Sequence, residues 1–292
     1  MTSVTTDRLP AAAGERDQRI AWLRAAATRI RRHALTMGEV QGQGYIGQAL
    51  GVADVLAVFY AREGGELRLR PDDPGWEGRD RFLLSIGHYA IALYAALAEA
   101  GTIPLEEIET YGTDDSRLPM SGMASYTPGM EISGGSLGHG LGIACGMGLG
   151  LRRLGNPARV FNLLSDGELD EGSTWEAAMA CAHHGLDNVT AIVDVNGLQA
   201  DGPTPTVLRT EPVVDKWRAF GWNAVRVDGN DVPALLDGLD RVRDHAGGPS
   251  VLICDTRPGR GVPFLESREK AHFMPVAEHE WQVAHDALEA TR

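Results

Sequence analysis

The sequence predicts an α/β protein, a parallel sheet flanked by helices, and three observations carry that expectation. The first is the stretch from Arg159 to Gly202. There the apolar run Val160-Phe161-Asn162-Leu163-Leu164 stops at Ser165-Asp166-Gly167-Glu168. A helical pattern of Trp175, Ala178, Met179 and Ala182 follows, and a second apolar run from Val189 to Val195 stops at Asn196-Gly197-Leu198. Short apolar runs bounded by Asp-Gly and Asn-Gly are buried strands ending in tight turns. A strand–helix–strand unit builds a parallel sheet. The second observation is that the same alternation of strand and helix recurs on both sides of this unit. The third is composition: 43% hydrophobic residues and 36 glycines fit a globular α/β protein with many turns.

In chain order, residues 1–16 are polar and Ala-rich, without the apolar core of a signal peptide, and are expected to form a loose N-terminal arm. Residues 17–292 are expected to form one domain, since no repeat, low-complexity segment or long linker interrupts them. Arg19 to Leu35 has helical spacing, with Ile20, Leu23, Ala27 and Ile30 on one side and arginines on the other. A glycine-rich loop, Gly42 to Gly47, precedes a helix carrying Leu50, Ala53, Val55, Leu56, Val58 and Phe59. No strand leads into those glycines, so a dinucleotide fingerprint is not expected. Gly64 to Asp80 is a loop broken by Pro71, Pro74 and Gly75. Arg81 to Ser85 is a short strand, Gly87-His88 a turn, and Tyr89 to Ala100 a helix.

Pro104 starts a short helix, and Arg117 to Gly122 is a loop. The Gly129–Gly140 region leads into a Gly/Ala-rich helix reaching Leu151. Its small residues, Gly142, Ala144, Gly146 and Gly148, sacrifice helix propensity and allow another backbone to come close, as at a subunit interface. After Gly202, a helix from Val213 to Phe220, a strand from Trp222 to Val227, a helix from Val232 to Val242 and a strand from Ser250 to Asp255 continue the pattern. A loop from Arg257 to Phe264 and a helix around Trp281 to Leu288 close it.

Charge and cysteines narrow the function. A net charge of −13 argues against nucleic acid or an anionic membrane surface as partner. No apolar stretch approaches the ~20 residues that span a bilayer. Cys145, Cys181 and Cys254 each sit in an apolar run, as buried reduced thiols do, which fits a cytoplasmic setting. A core of this size needs no disulfide.

The chemistry follows from the two polar turns. In a parallel sheet Asp166-Gly167 and Asn196-Gly197 both lie at the carboxyl edge, where open α/β sheets bind ligands. Asp166 offers an anionic oxygen and Asn196 a neutral carbonyl, the donor set of a Mg²⁺ site that leaves room for phosphate oxygens. Gly167 lets the backbone approach a phosphate. Either pair alone is more simply a turn; together, at matching strand ends of one unit, they favour a metal–diphosphate site. His88, at a strand end before a helix, is placed to hold phosphate, although a lone histidine is more often structural. The adjacent pair His183-His184 cannot share an ion easily, because neighbours on a helix point about 100° apart.

Ser165-Asp166-Gly167-Glu168, with Glu171-Gly172, Trp175-Glu176-Ala177-Ala178 and Asn196-Gly197-Leu198-Gln199, resembles the thiamine diphosphate motif of the transketolase family, with Ser165 in place of the usual first glycine. Ser85-Ile86-Gly87-His88 and Gly135-Ser136-Leu137-Gly138 extend the resemblance, which spans roughly residues 20 to 285. It implies a thiamine diphosphate-binding fold, with Mg²⁺ held by Asp166, Asn196 and the Leu198 carbonyl. It implies cofactor contacts from His88, Gly135, Leu137, Asp166, Gly167, Glu168, Asn196 and His272. Glu171 would belong to a hydrogen-bonded chain linking cofactor sites across a subunit interface, or else complement a helix dipole.

The family pattern departs at the substrate end. Tyr45 and Ser121 stand where the family has histidines, and His139 replaces a glutamine; Tyr45 and His139 are the candidates to touch substrate, with His88 and His272 beside the cofactor. His139 is equally well a polar residue at a helix start.

The resemblance further implies a split enzyme, because the family's pyrimidine-binding domain has no counterpart in this sequence. This would be the N-terminal, diphosphate-binding subunit, paired in an α2β2 assembly with a separately encoded C-terminal chain. The pair would transfer a two-carbon ketol unit from a ketose, phosphorylated or modified, to an aldose. Two alternatives stand beside it: a non-catalytic binding or regulatory subunit, and half of a thiamine diphosphate dehydrogenase or decarboxylase. Cofactor affinity separates the first, and carbon transfer against oxidant-dependent turnover separates the second.

Overall fold

The structure is a computed structural model, and it describes residues 13–268 and 272–290. Five parallel strands form the sheet: β1 (Arg81–Leu84), β2 (Val160–Ser165), β3 (Val189–Val195), β4 (Asn223–Asp228) and β5 (Ser250–Asp255), in the spatial order β1-β2-β3-β5-β4. The predicted fold class is therefore the observed one, with strand limits within about two residues of the expected ones.

Nine helices among the described residues concern the argument: α1 (Ala13–Gln41), α2 (Ile46–Gly51), α3 (Ala53–Tyr60), α4 (Ala90–Ala100), α5 (Gly140–Arg153), α6 (Gly172–His183), α7 (Val213–Ala219), α8 (Val232–Arg243) and α9 (Glu278–Ala290). The expected N-terminal arm lies outside the described residues as far as residue 12, and 13–16 already belong to α1. That helix also runs beyond Leu35. Gly38, which would otherwise invite a helix end, sits where a Cβ would meet Ile46 and the Trp281 ring at 3.0–3.1 Å, so it serves close packing.

The strands alternate two apolar faces, as buried parallel strands do. Phe82, Leu84, Phe161, Leu163, Ile192 and Leu252 pack with α1, α3, α4 and α8. Leu83, Val160, Leu164, Val193, Val251 and Ile253 pack with α5, α6 and α7, where Trp217 is fully buried. Each large apolar side chain so buried stabilises the fold by about 1.5–3 kcal/mol. Sequence alternation thus fixes a three-layer sandwich whose carboxyl edge is open.

A third cluster lies off the sheet and positions the site. Leu35, Ile46, Leu50, Val262, Leu265, Met274, Trp281 and Leu288 tie α1, α2 and α9 together. On this base Gln43–Gly44 pairs antiparallel with Met274–Pro275. That short ladder brings Tyr45 next to His272, two residues far apart in sequence.

Candidate active site

Asp166 and Asn196 follow β2 and β3, and the two turns meet at the carboxyl edge. Asp166 is 1% exposed. Its Oδ1 accepts from Gly167 N at 2.9 Å. Its Oδ2 accepts from Gly197 N at 3.0 Å and from Thr204 Oγ1 at 2.9 Å. Asn196 Oδ1 accepts from Leu198 N at 2.9 Å, an Asx-type turn that sets Leu198–Gln199 against Gly202–Pro203.

Beneath this pair lies Asp194, an acid inside the apolar run of β3. Its Oδ2 accepts from Tyr89 Oη and Asn196 Nδ2, both at 2.8 Å, and its Oδ1 accepts from Thr256 Oγ1. Asn196 Nδ2 also reaches Tyr89 Oη at 2.7 Å. Tyr89 follows His88 in sequence, so one hydrogen-bonded network joins the His88 turn to the Asn196 turn. Burial pushes Asp194 above the usual carboxylate range. Burial, followed by the charge of Asp194, pushes Asp166 up to about 7.

Two buried carboxylates, with no cationic side chain among the described residues hydrogen-bonded to either, fit a site for a hard divalent cation, which would relieve both. The donors are one carboxylate and neutral oxygens. No group of three or more His, Cys, Asp or Glu side chains capable of holding a metal exists among the described residues, the His183–His184 pair included.

Tyr45, His88 and His272 come together in one cluster of rings. The Tyr45 ring lies 4.4 Å from His88 and 5.4 Å from His272, and the two imidazoles lie 5.4 Å apart, centroid to centroid. Phe273, 42% exposed, closes on Tyr45 edge-on at 5.1 Å. Burial, then proximity to His272, brings His88 down to about 4, and burial lowers His272 as well. Both rings are neutral at pH 7 and can offer an anion N–H groups without charge.

A histidine whose folded pKa lies below its ordinary 6.5 contributes no penalty above pH 6.5, and the fold loses stability as pH falls from 6.5 through 4. His88→Gln should remove up to roughly 3 kcal/mol of that acid loss. Urea unfolding at pH 7.5 and pH 4.5 checks it: the variant's stability should change less between the two than the wild type's.

The Gly134–Gly138 loop is tied to the same turns. Gly134 N donates to Gly122 O at 3.1 Å, and Gly122 N donates to Gly87 O at 3.0 Å. Gly138 N donates to Glu168 Oε1 at 2.8 Å, and Ser85 Oγ donates to the same oxygen. Glu168, 1% exposed, is raised by burial to about 7, and its Oε2 is buried without a partner. Gly135 is exposed with φ +143, a backbone conformation open to glycine, and Leu137 packs inward on the core. Ser121 Oγ lies 3.8 Å from where a Cβ on Gly135 would be, so it borders the same loop.

Two sequence candidates stand apart. His139 is exposed at the start of α5, its Nδ1 3.1 Å from Ser136 O. None of the hydrogen bonds or ring contacts among the described residues joins it to Tyr45, His88 or His272. Glu171 is exposed where α6 begins, against Gly138.

Sequence reasoning missed Tyr89, Asp194, Thr204 and Thr256. Asp194 carried a signal, being an acid within a buried strand, where unpaired charge is not tolerated. The threonine partners carried none, because Thr fits any loop.

Fold and site together define an α/β domain whose carboxyl edge gathers oxygen donors and neutral histidines. The chain belongs to the transketolase family: the family model described as transketolase, thiamine diphosphate binding domain, matches residues 23–290. A transketolase family protein of Sinorhizobium fredii is 64% identical over 265 residues, covering 90% of this chain and 94% of its own length. The 6-deoxy-6-sulfo-D-fructose transketolase subunit of a Clostridium species is 37% identical, with 87% and 92% covered. An apulose-4-phosphate transketolase subunit of Actinobacillus succinogenes is 38% identical, with 84% and 87% covered. The crystal structure of transketolase from Campylobacter jejuni superposes with a TM-score of 0.84 at 28% identity, over 92% of this chain and 43% of that one. This chain therefore spans less than half of that solved enzyme but nearly the whole of the subunit-sized relatives.

Proposed function

We propose that the chain is the N-terminal subunit of a split transketolase. It binds thiamine diphosphate with Mg²⁺ and, together with a separately encoded pyrimidine-domain chain in an α2β2 assembly, passes a two-carbon ketol unit from a ketose to an aldose. The observation that carries this reading is the joining of the Asp166 turn, the Asn196 turn, the His88 turn and the Gly134–Gly138 loop into one hydrogen-bonded unit at the carboxyl edge.

When bound, thiamine diphosphate supplies a carbon nucleophile that no side chain can offer. The chain's own residues hold and orient it. Asp166, Asn196 Oδ1 and the Leu198 carbonyl take the cation. His88 and His272 donate N–H groups to diphosphate oxygens, and Gly167 leaves room for them. Gly135 and Leu137 line the ring end, with Glu168 fixing their loop through Gly138. Tyr45, with Phe273, borders the entry taken by the sugar.

A partner chain is supported by two facts. The Clostridium and Actinobacillus succinogenes relatives, of which this chain covers 92% and 87%, are named as subunits. The outer face of α5 and α6 also lacks an occupant among the described residues. A Cβ on Gly142, Gly146 or Gly150 would meet nothing within 4 Å, and Ile143 on α5 and Met179 on α6 are exposed. Free, buried Cys145, Cys181 and Cys254 suit a cytoplasmic location. No helix among the described residues is long and apolar enough to cross a membrane.

The test is reconstitution. The chain alone should transfer no ketol unit, and addition of the pyrimidine-domain chain with Mg²⁺ and thiamine diphosphate should restore transfer from a ketose phosphate or a modified ketose. Failure of the reconstituted pair on every ketose, or turnover that requires an oxidant, defeats the proposal.

A further inference from the structure

Gln48 lies on α2, a helix whose six residues are all buried. It is 1% exposed, and its neighbours there are Ile46, Ala49 and Leu50. The amide Nε2 donates to His272 Nδ1 at 3.1 Å, while Oε1 is buried with no hydrogen-bond partner. An unmade bond in the interior is costly, so a glutamine in such a place needs a purpose that an apolar residue would not serve.

We propose that Gln48 is a positioning residue for His272. It holds the neutral imidazole in the tautomer that carries its proton on Nε2 and thereby makes His272 a hydrogen-bond donor to an anionic oxygen. This rests on the reading of His272 as a diphosphate contact and adds to it the residue that sets its polarity. A neutral imidazole has one N–H and one bare nitrogen, and only the N–H attracts an oxyanion. With Nδ1 engaged as acceptor of the Gln48 amide, the proton belongs on Nε2.

The ring itself is held by its neighbours, with Tyr45 packed at 89° to it and His88 alongside. The reversed amide would accept from an Nδ1–H through Oε1. It would leave both amide N–H groups buried and unmade, and would turn the bare lone pair of Nε2 toward the anion. Under-satisfied carbonyls are tolerated in protein interiors more often than orphaned N–H groups, which favours the arrangement observed. Which ring nitrogen of a histidine carries the proton is set by the hydrogen bond that the other nitrogen makes.

The experiment uses the full chain labelled with ¹⁵N-histidine. Two-bond ¹H–¹⁵N correlation spectra at pH 7.5 report which ring nitrogen is protonated, with the His272 signals assigned by His272→Gln. The wild type should show His272 with a pyridine-type Nδ1 and a pyrrole-type Nε2. Gln48→Leu should mix the tautomers and weaken binding of inorganic diphosphate with Mg²⁺, measured by calorimetry, by about tenfold. In a His272→Ala background, Gln48→Leu should cause no further loss. Gln48→Glu should draw a proton onto Nδ1 and raise the His272 titration midpoint; with the wild-type spectrum, it decides the matter if Gln48→Leu does not fold.

A proton on Nδ1 in the wild type overturns the proposal, as does an unchanged tautomer in Gln48→Leu or losses that add in the double variant. A wild-type chain with Nε2–H that ignores Mg²⁺-diphosphate upholds the tautomer assignment and overturns the diphosphate reading of the site.

Discussion

Asp166→Asn should weaken Mg²⁺-dependent binding of thiamine diphosphate by about 100-fold or more, and should also make the ligand-free chain more stable above pH 7. The two effects have one cause. In the metal-free chain the Asp166 carboxylate is buried beside Asp194, and its pKa is pushed up to about 7. An acid whose folded pKa lies above its ordinary value is tolerated when protonated and penalised when charged. Stability is therefore lost as pH rises from about 4 through 7, and the full penalty applies above that window. Removing the charge recovers on the order of a few kcal/mol at pH 8, less whatever the weakened bonds from Gly197 and Thr204 cost. Thermal unfolding without ligand, at pH 5 and pH 8, should show the variant gaining more on the wild type at the higher pH. With Mg²⁺ and thiamine diphosphate the wild type should gain stability by mass action and the variant should not. A variant that still responds to the cofactor would remove Asp166 from the metal site.

The trade is typical of a binding site, where local stability is given up to keep a charge ready for its ligand. It also explains why the strand ends are legible. Asp166 and Asn196 can be placed because strand limits are set by short-range patterning. Val160–Leu164 and Val189–Val195 are apolar runs cut off by Asp-Gly and Asn-Gly, and β2 and β3 end within a residue of those dipeptides. Parallel pairing then forces both turns to one edge. His88 is legible for the same reason, since it follows β1 and precedes α4.

What cannot be read depends on contacts without periodicity. The ladder of Gln43–Gly44 with Met274–Pro275 is two residues long, so no alternation announces it, yet it brings Tyr45 to His272. The Asp194–Tyr89–Asn196 network requires knowing that β3 carries an acid on the side facing the His88 turn. Gln48 looks like one residue of an apolar helix, and only its contact with His272 gives it a chemical role. The departures at Tyr45 and Ser121 are visible in sequence, and the structure sets both at the margin of the site, against His88 and near Gly135 respectively. His139 reads equally well in sequence as a site residue or a helix start, and in the fold its ring turns to Ser136.

Gly87→Ala should leave the fold in place and lower cofactor-dependent turnover of the assembled enzyme by about 100-fold. A Cβ there would lie 2.4–2.6 Å from the C and O of Gly134 and the N of Gly135, all backbone atoms that cannot rotate away. Gly134 in turn is held by Gly122, and Gly122 by Gly87, so three loops meet through backbone alone. One methyl must push the His88 turn and the Gly134–Gly138 loop apart. Overpacking of this kind costs about 1–3 kcal/mol of stability, too little to unfold a chain with a core this large. The catalytic loss is greater because displacements of about 1 Å are felt steeply where groups must be aligned. His88 would move relative to Tyr45 and His272, and Gly135 and Leu137 would move relative to the strand ends. Gly14→Ala is the control. A Cβ there meets nothing within 4 Å, and the change falls in the first turns of α1, where it should be neutral or slightly stabilising. Thiamine diphosphate affinity, turnover and far-ultraviolet dichroism, measured together, separate a displaced loop from a lost fold. Wild-type affinity and turnover in Gly87→Ala would mean that the three loops do not act as one unit, and the hydrogen-bonded joint at the carboxyl edge would then lose its place as the feature that assembles the site.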